Sequence, residues 1–237
     1  MTAYPVDVDR DARFLRIVGW ILLAITLTAF VPTYFIPMVQ GEFASDNIWM
    51  QPHTWVSFVF AALFIAQPWL VLHRNWQWHR RIGWLVGAVV LGAAITGIAV
   101  QLAVWPTVPE DDRNLLPASF RLFQVLPTLV LFFLAGVALR KRPDWHWRLM
   151  LQSAYAPVGI ALRRYVDMIP GLSPDTSGPL LSLTLLFGLI TFLVSDKIRH
   201  GRTHPANWLG LVFFILTVPL SLFIASTDWY ARLTLGQ

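Results

Sequence analysis

The chain has 237 residues, 56% hydrophobic and 13% charged, with mean hydropathy +0.58. A soluble domain carries about 25% charged residues, so this composition excludes an ordinary water-soluble globule and points to a chain built for lipid. There is no cysteine, which excludes disulfides, thioether haem attachment and thiolate metal sites.

Seven apolar stretches run through the sequence: 17–38, 54–72, 82–105, 122–139, 147–168, 178–195 and 206–227. A helix needs about 20 mostly apolar residues to cross a bilayer, and in lipid every backbone polar group must find an internal partner. The expected fold is therefore all-α: a polytopic membrane helical bundle of seven transmembrane helices. The gaps are short, so 1–237 reads as a single membrane domain. Residues 1–16 form a cytoplasmic N-terminal segment whose Asp and Arg content does not read as a cleavable signal.

The gaps alternate in charge. Arg10, Arg13 and Arg16 precede span one, and Arg74, Arg80 and Arg81 separate spans two and three. Arg140, Lys141, Arg142 and Arg148 separate spans four and five, and Lys197, Arg199 and Arg202 separate six and seven. Glu42, Asp46, Glu110, Asp111, Asp112, Asp167, Asp175 and Asp228 collect in the other gaps. The positive-inside rule then places the N-terminus inside and the C-terminus outside. Topology thus accounts for the net charge of +5 without nucleic acid as a partner, and the basic turns suit anionic lipid head groups at the cytoplasmic face. The expected location is the bacterial inner (plasma) membrane. Trp49, Trp55, Trp105 and Trp229 near one set of span ends, and Trp76, Trp78, Trp145, Trp147 and Trp208 near the other, read as interfacial anchors.

In chain order, span two carries His53, Ser57 and Gln67 on one face. Span three opens with Trp78-His79-Arg80-Arg81-Ile82. The gap 105–120, with Pro106, Pro109 and Pro117, reads as loop. Span four places Arg121, Gln124 and Thr128 on one face. Span five opens with Trp145-His146-Trp147-Arg148-Leu149, and span seven with His204-Pro205. The three basic turns, each with a His, suggest three repeated hairpins.

Span five departs most from a plain apolar helix. Only 14 uncharged residues separate Arg148 from Arg163. At about 100° per residue, Arg148, Gln152, Tyr155, Gly159 and Arg163 share one face. Pro157 has no N–H for the Ser153 carbonyl and should kink the helix. Charged groups inside a span usually face the bundle interior or a wet cavity.

His53-Thr54-Trp55, Gln67, the Trp78–Trp84 run, the Arg142–Met150 run and Leu162-Arg163 together resemble a family of bacterial multi-pass membrane proteins of uncharacterised activity. That family is marked by a His-Arg-Arg-(Leu/Ile)-Gly turn and a later His-x-Arg-(Leu/Trp)-Met turn. The resemblance covers 53–168, the expected four-helix functional core. More distantly, helices with His near their ends resemble the b-type haem transmembrane reductases. That likeness implies bis-His haem ligation at two levels. Here only His79 and His146 could form a pair, so it implies one haem b.

Three readings follow. In the first, His79 and His146 are axial ligands of a single haem b in an electron-transfer protein that oxidises quinol. In the second, a non-redox lipid, quinone or small-anion binding protein or carrier uses a polar pocket between spans two, four and five. His53, Ser57, Gln67, Arg121, Gln124, Gln152, Tyr155 and Arg163 line that pocket. In the third, the chain is an accessory subunit whose Trp-rich faces dock other membrane subunits. The plainer alternatives are interfacial histidines beside basic turns, and Arg163 and Arg164 snorkelling to the interface, with Asp167 as an i,i+4 partner of Arg163. The sequence shows no phosphate loop, no HExxH, no lysine within a span and no acid deep in one. Whether the protein is an enzyme stays open at this stage, and no metal site is expected.

Overall fold

The computed structural model describes residues 7–42, 47–104, 119–172 and 174–235, and these are helical, with no strand among them. The helices are α1 (Val8–Gln40), α2 (Met50–Leu72), α3 (Trp76–Val104) and α4 (Arg121–Ala138). They continue as α5 (Pro143–Tyr155), α6 (Val158–Asp167), α7 (Pro174–His200), α8 (Pro205–Ala225) and α9 (Asp228–Leu235). Among the described residues six helices, α1 to α4, α7 and α8, are long and apolar enough to cross a bilayer. This is the make-up of a multi-pass membrane protein. Most of the expected 105–120 loop, residues 105–118, lies outside the described residues.

The predicted fifth span, 147–168, is not one helix. It is two short ones, α5 and α6, parted at Ala156-Pro157. The Ala156 N–H still reaches the Gln152 carbonyl at 3.3 Å, and Ile160 N–H restarts the ladder on the Pro157 carbonyl at 3.0 Å. Pro157 has no hydrogen to offer between them. α5 also starts before the predicted span, because Pro143 takes the first helical position, where its missing N–H costs nothing.

Local chemistry fixes the other ends. The Asp7 carboxylate accepts from Arg10 N–H at 3.0 Å and caps α1. That bond holds the Asp7 carboxyl below its ordinary pKa. α2 ends with Arg74 in the left-handed region (φ 55°), and Asn75 then caps α3 by accepting from Trp78 N–H at 3.3 Å. α7 ends on Gly201 (φ 75°), where a side chain would strain the backbone. His204 caps α8, its Nδ1 accepting from Ala206 N–H at 3.1 Å.

Among the described residues two helices carry π turns, Val31–Phe35 in α1 and Arg121–Val125 in α4. In each, an N–H reaches back five residues, Ile36 to Val31 and Leu126 to Arg121. Such bulges recur at functional sites, and the second carries Gln124 into the bundle.

α2 packs on α3, α4 on α5 and α7 on α8, as the three expected hairpins require. α1 lies across α2 and α6, and α8 contacts both α5 and the π turn of α4. α5 is the axis of this arrangement: eight of the nine residues Trp147 to Tyr155, all but Met150, are buried. On one side Leu151, Tyr155 and Val158 pack with Leu185, Leu189, Phe192 and Phe214. On the other, Ala154 joins Phe60, Val86, Val90, Leu129 and Phe133. Large apolar side chains such as Trp84, Leu91, Phe187 and Phe223 face outward, as lipid contact requires.

Candidate functional site

The basic turns gather at one end of the bundle. There the α3 and α5 starts bring His79 and His146 together, with ring centroids 6.4 Å apart and planes at 84°. The His146 Nδ1–H donates to the Gly136 carbonyl of α4 at 2.8 Å. Gly136 permits this close approach, since a Cβ there would stand 2.6 Å from Met150 Cε and 3.5 Å from the His146 carbonyl oxygen. His79 is held by Gln67 of α2. That amide is satisfied when its nitrogen donates to His79 Nδ1 (2.5 Å) and to the His79 carbonyl (3.2 Å), while its oxygen accepts from Gly83 N–H (3.1 Å). Among the described residues neither Nε2 has a hydrogen bond. Both rings are thus anchored through Nδ1, with Nε2 left for other work.

Behind this pair lies a cluster that sequence reasoning missed. Arg148 and Asp196 are both fully buried. Arg148 Nη2 donates to Asp196 Oδ1 at 2.5 Å, Nε donates to both carboxylate oxygens at 3.1 and 3.2 Å, and Nη1 donates to the Asp144 carbonyl at 2.7 Å. Asp196 Oδ2 also accepts the His204 N–H at 2.7 Å. Asp11 of α1 completes the group, 2.7 Å from Arg199 and 2.9 Å from His200 Nε2. An arginine can only donate, so the contact of Arg10 with His200 Nδ1 (3.1 Å) places the neutral ring's hydrogen on Nε2, facing Asp11. His204 repeats the pattern: Nδ1 accepts from Ala206, so Nε2–H donates to Asp144 at 3.2 Å. Burial, with the nearby Arg148 charge, holds the His204 pKa below its ordinary value.

Trp147 is not an interfacial anchor. It is buried, with the guanidinium of Arg148 4.0 Å and that of Arg199 5.1 Å from its ring centroid. The sequence signals for this cluster were a buried Arg148 needing a counter-charge, and Asp196 and His200 one helical turn apart. Asp196 falls one residue beyond the predicted sixth span, which hid it. His200 and His204 are thereby engaged with carboxylates. Among the described residues no three or more His, Asp or Glu are grouped to hold a metal ion.

The polar stripe on α5 continues inward. Gln152 Nε2 donates to Asn207 Oδ1 of α8 at 3.3 Å, Ser153 to the Leu129 carbonyl at 2.7 Å, and Tyr155 to the Leu185 carbonyl at 3.1 Å. Gln124, Thr128, Gln152 and Tyr155, with Ala156 and Gly210, line a cavity of about 20 Å³, room for about one water. The eight residues expected to share a pocket therefore divide. Gln124, Gln152 and Tyr155 meet at the cavity. His53 instead contacts Thr96 (3.1 Å), with Ser57 donating to the His53 carbonyl (2.7 Å). Gln67 sits on His79. Arg121 Nε donates to Gln101 at 2.8 Å, and Arg163 pairs with Asp167 at 2.7 Å. Neighbouring Arg164 donates to Thr33 at 2.8 Å and lies 4.0 Å over the Phe30 ring, fastening α6 to α1. No protein-family model, curated protein or solved structure matches the chain.

Proposed function

We propose that the protein is a single-haem b-type membrane redox carrier, in which His79 and His146 would hold the haem iron. The observation that carries this reading is the spacing of the two rings. Two histidine rings that held one metal ion between them through bonds of about 2 Å would have centroids roughly 6 Å apart. The observed 6.4 Å, with planes nearly perpendicular, suits that arrangement. A ligating histidine usually gives its other N–H to a carbonyl or similar acceptor, and the bond from His146 to Gly136 has that form. His79 differs: the Gln67 amide as oriented donates to Nδ1, which keeps the hydrogen on Nε2, so ligation through Nε2 would require the amide to turn and give up its bonds with Gly83 N–H and the His79 carbonyl. Bound there, haem supplies one-electron chemistry. The protein's part is to hold both rings, fix their tautomers and exclude water with the helices around them.

The same reading takes α5 and α6 together as the fifth crossing. Only then do the basic turns all fall on one side, with the N-terminus inside, the C-terminus outside and seven crossings of the bacterial inner membrane. Lipid or quinone in the inner cavity is less well supported, because that space takes one water rather than a drug-sized ligand. The test is the absorption spectrum of protein purified after expression with haem supplied. A Soret band with split visible bands on dithionite reduction, lost in His79→Ala and in His146→Ala, supports the reading. A spectrum without haem bands rejects it.

A further inference from the structure

Two of the basic turns lie side by side at the histidine pair. Arg80 and Arg81 follow His79 at the start of α3, and Arg140, Lys141 and Arg142 join α4 to α5 just before His146. The 6.4 Å contact of the two rings, and the bond from His146 to Gly136 near the end of α4, fix that neighbourhood. All five cations are exposed. Their acidic partners are few. Arg142 stands 3.8 Å from Asp144, which His204 already engages. Among the described residues no carboxylate pairs with Arg80, Arg81, Arg140 or Lys141. Arg74 in the same α2–α3 turn differs, being paired with Asp9 at 2.9 Å.

Two further features favour an anion here and set its kind. α3 and α5 both begin at this end, and a helix start carries partial positive charge. α5 opens with no side-chain cap. Trp76 and Trp78 stand exposed at the start of α3, with the Arg81 guanidinium 5.5 Å from the Trp78 ring centroid. Arg142 lies at the same distance from the Trp145 ring. Exposed Trp rings seat at the level of lipid head groups, so the cations beside them stand where lipid phosphates are.

We propose that the α2–α3 and α4–α5 turns form a binding surface for an anionic phospholipid of the leaflet at that end of the bundle, its phosphate held by Arg80, Arg81, Arg140 and Lys141 beside Trp78. Basic clusters next to membrane helices attract such lipids electrostatically. The test is thermal unfolding of purified protein in mixed micelles of neutral detergent with equal fractions of phosphatidylglycerol or phosphatidylcholine. A lipid that binds the folded state raises the midpoint. Phosphatidylglycerol should raise it by at least about 3 °C over phosphatidylcholine. The variant Arg80→Gln/Arg81→Gln/Arg140→Gln/Lys141→Gln should lose that difference, whereas Lys197→Gln/Arg202→Gln, on the third basic turn, should keep it. All six positions are exposed, so neither variant disturbs the core. Equal midpoints of the wild-type protein in the two lipids would overturn the proposal. So would a difference that survives the quadruple variant, one that the Lys197→Gln/Arg202→Gln variant loses as fully, or one that inorganic phosphate reproduces without the lipid.

Discussion

Arg148 of α5 and Asp196 of α7 form an ion pair at 2.5 Å with no solvent exposure on either side chain. Two charges removed from water are costly unless geometry and further hydrogen bonds offset the desolvation. Here they do: the guanidinium also bonds the Asp144 carbonyl, and the carboxylate also accepts the His204 N–H. The pair ties three helix ends together at the basic end of the bundle.

Breaking that pair should be severe. Arg148→Met or Asp196→Leu alone leaves an uncompensated buried charge and should cost about 3–5 kcal/mol. The double variant should cost clearly less than the sum of the two. Denaturant unfolding in detergent, run as a double-mutant cycle, measures the difference.

A second prediction ranks two glycines. At Gly210 the obstacle is the end of the Gln152 side chain, whereas at Gly188 it is the ring and hydroxyl of Tyr155. An amide can turn aside and a phenol ring cannot. Gly188→Ala should therefore destabilise by about 1–3 kcal/mol and Gly210→Ala by less, with Gln152→Ala relieving only the latter. Unfolding midpoints of the four variants decide the order.

The third concerns pH. His204 is held neutral in the fold, with its pKa lowered by burial and by Arg148 against the opposing Asp144 bond. Its unfolded value is about 6.5, so below that pH the unfolded chain binds a proton that the folded one resists. The stability involved is present above about pH 6.5 and is lost as pH falls through the lowered folded value. His204→Asn keeps a cap on α8 and should flatten that part of the stability–pH curve. An unchanged curve would show that His204 does not set it.

Much of the fold was legible because lipid leaves few options. Apolar length marked six of the long helices, and the basic turns with their histidines marked three hairpins. Pro157 marked the break in the fifth span. What stayed hidden depends on side-chain reach rather than periodicity. Helical phase put His53, Gln67 and Gln124 on inward faces but could not say which neighbour each would meet. Thr96, His79 and the cavity are in fact their three separate destinations. Asp11 and Asp196 lay in segments read as interfacial, where acids raise no alarm. Their burial follows from α1 and α7 closing over Arg148 and Trp147.

Gln67 carries a fourth prediction. It is the side chain bonded to His79 Nδ1 and, once its amide has turned to accept from Nδ1–H, would be the outer-shell partner of that ligand, whose loss typically weakens metal binding about 10–100-fold. Gln67→Leu should retain a haem spectrum at saturating haem but bind it that much more weakly, with His146 unaffected. Equal affinity in the two proteins would remove Gln67 from the site.

The central claim is that His79 and His146 hold one haem between them. Titration of haem-free purified protein with haemin, followed at the Soret band, tests it most directly. Wild-type protein should saturate at one equivalent per chain with a low-spin spectrum, and the His79→Ala/His146→Ala double variant should show neither feature. Non-saturating, high-spin absorbance that is the same in both proteins would contradict it.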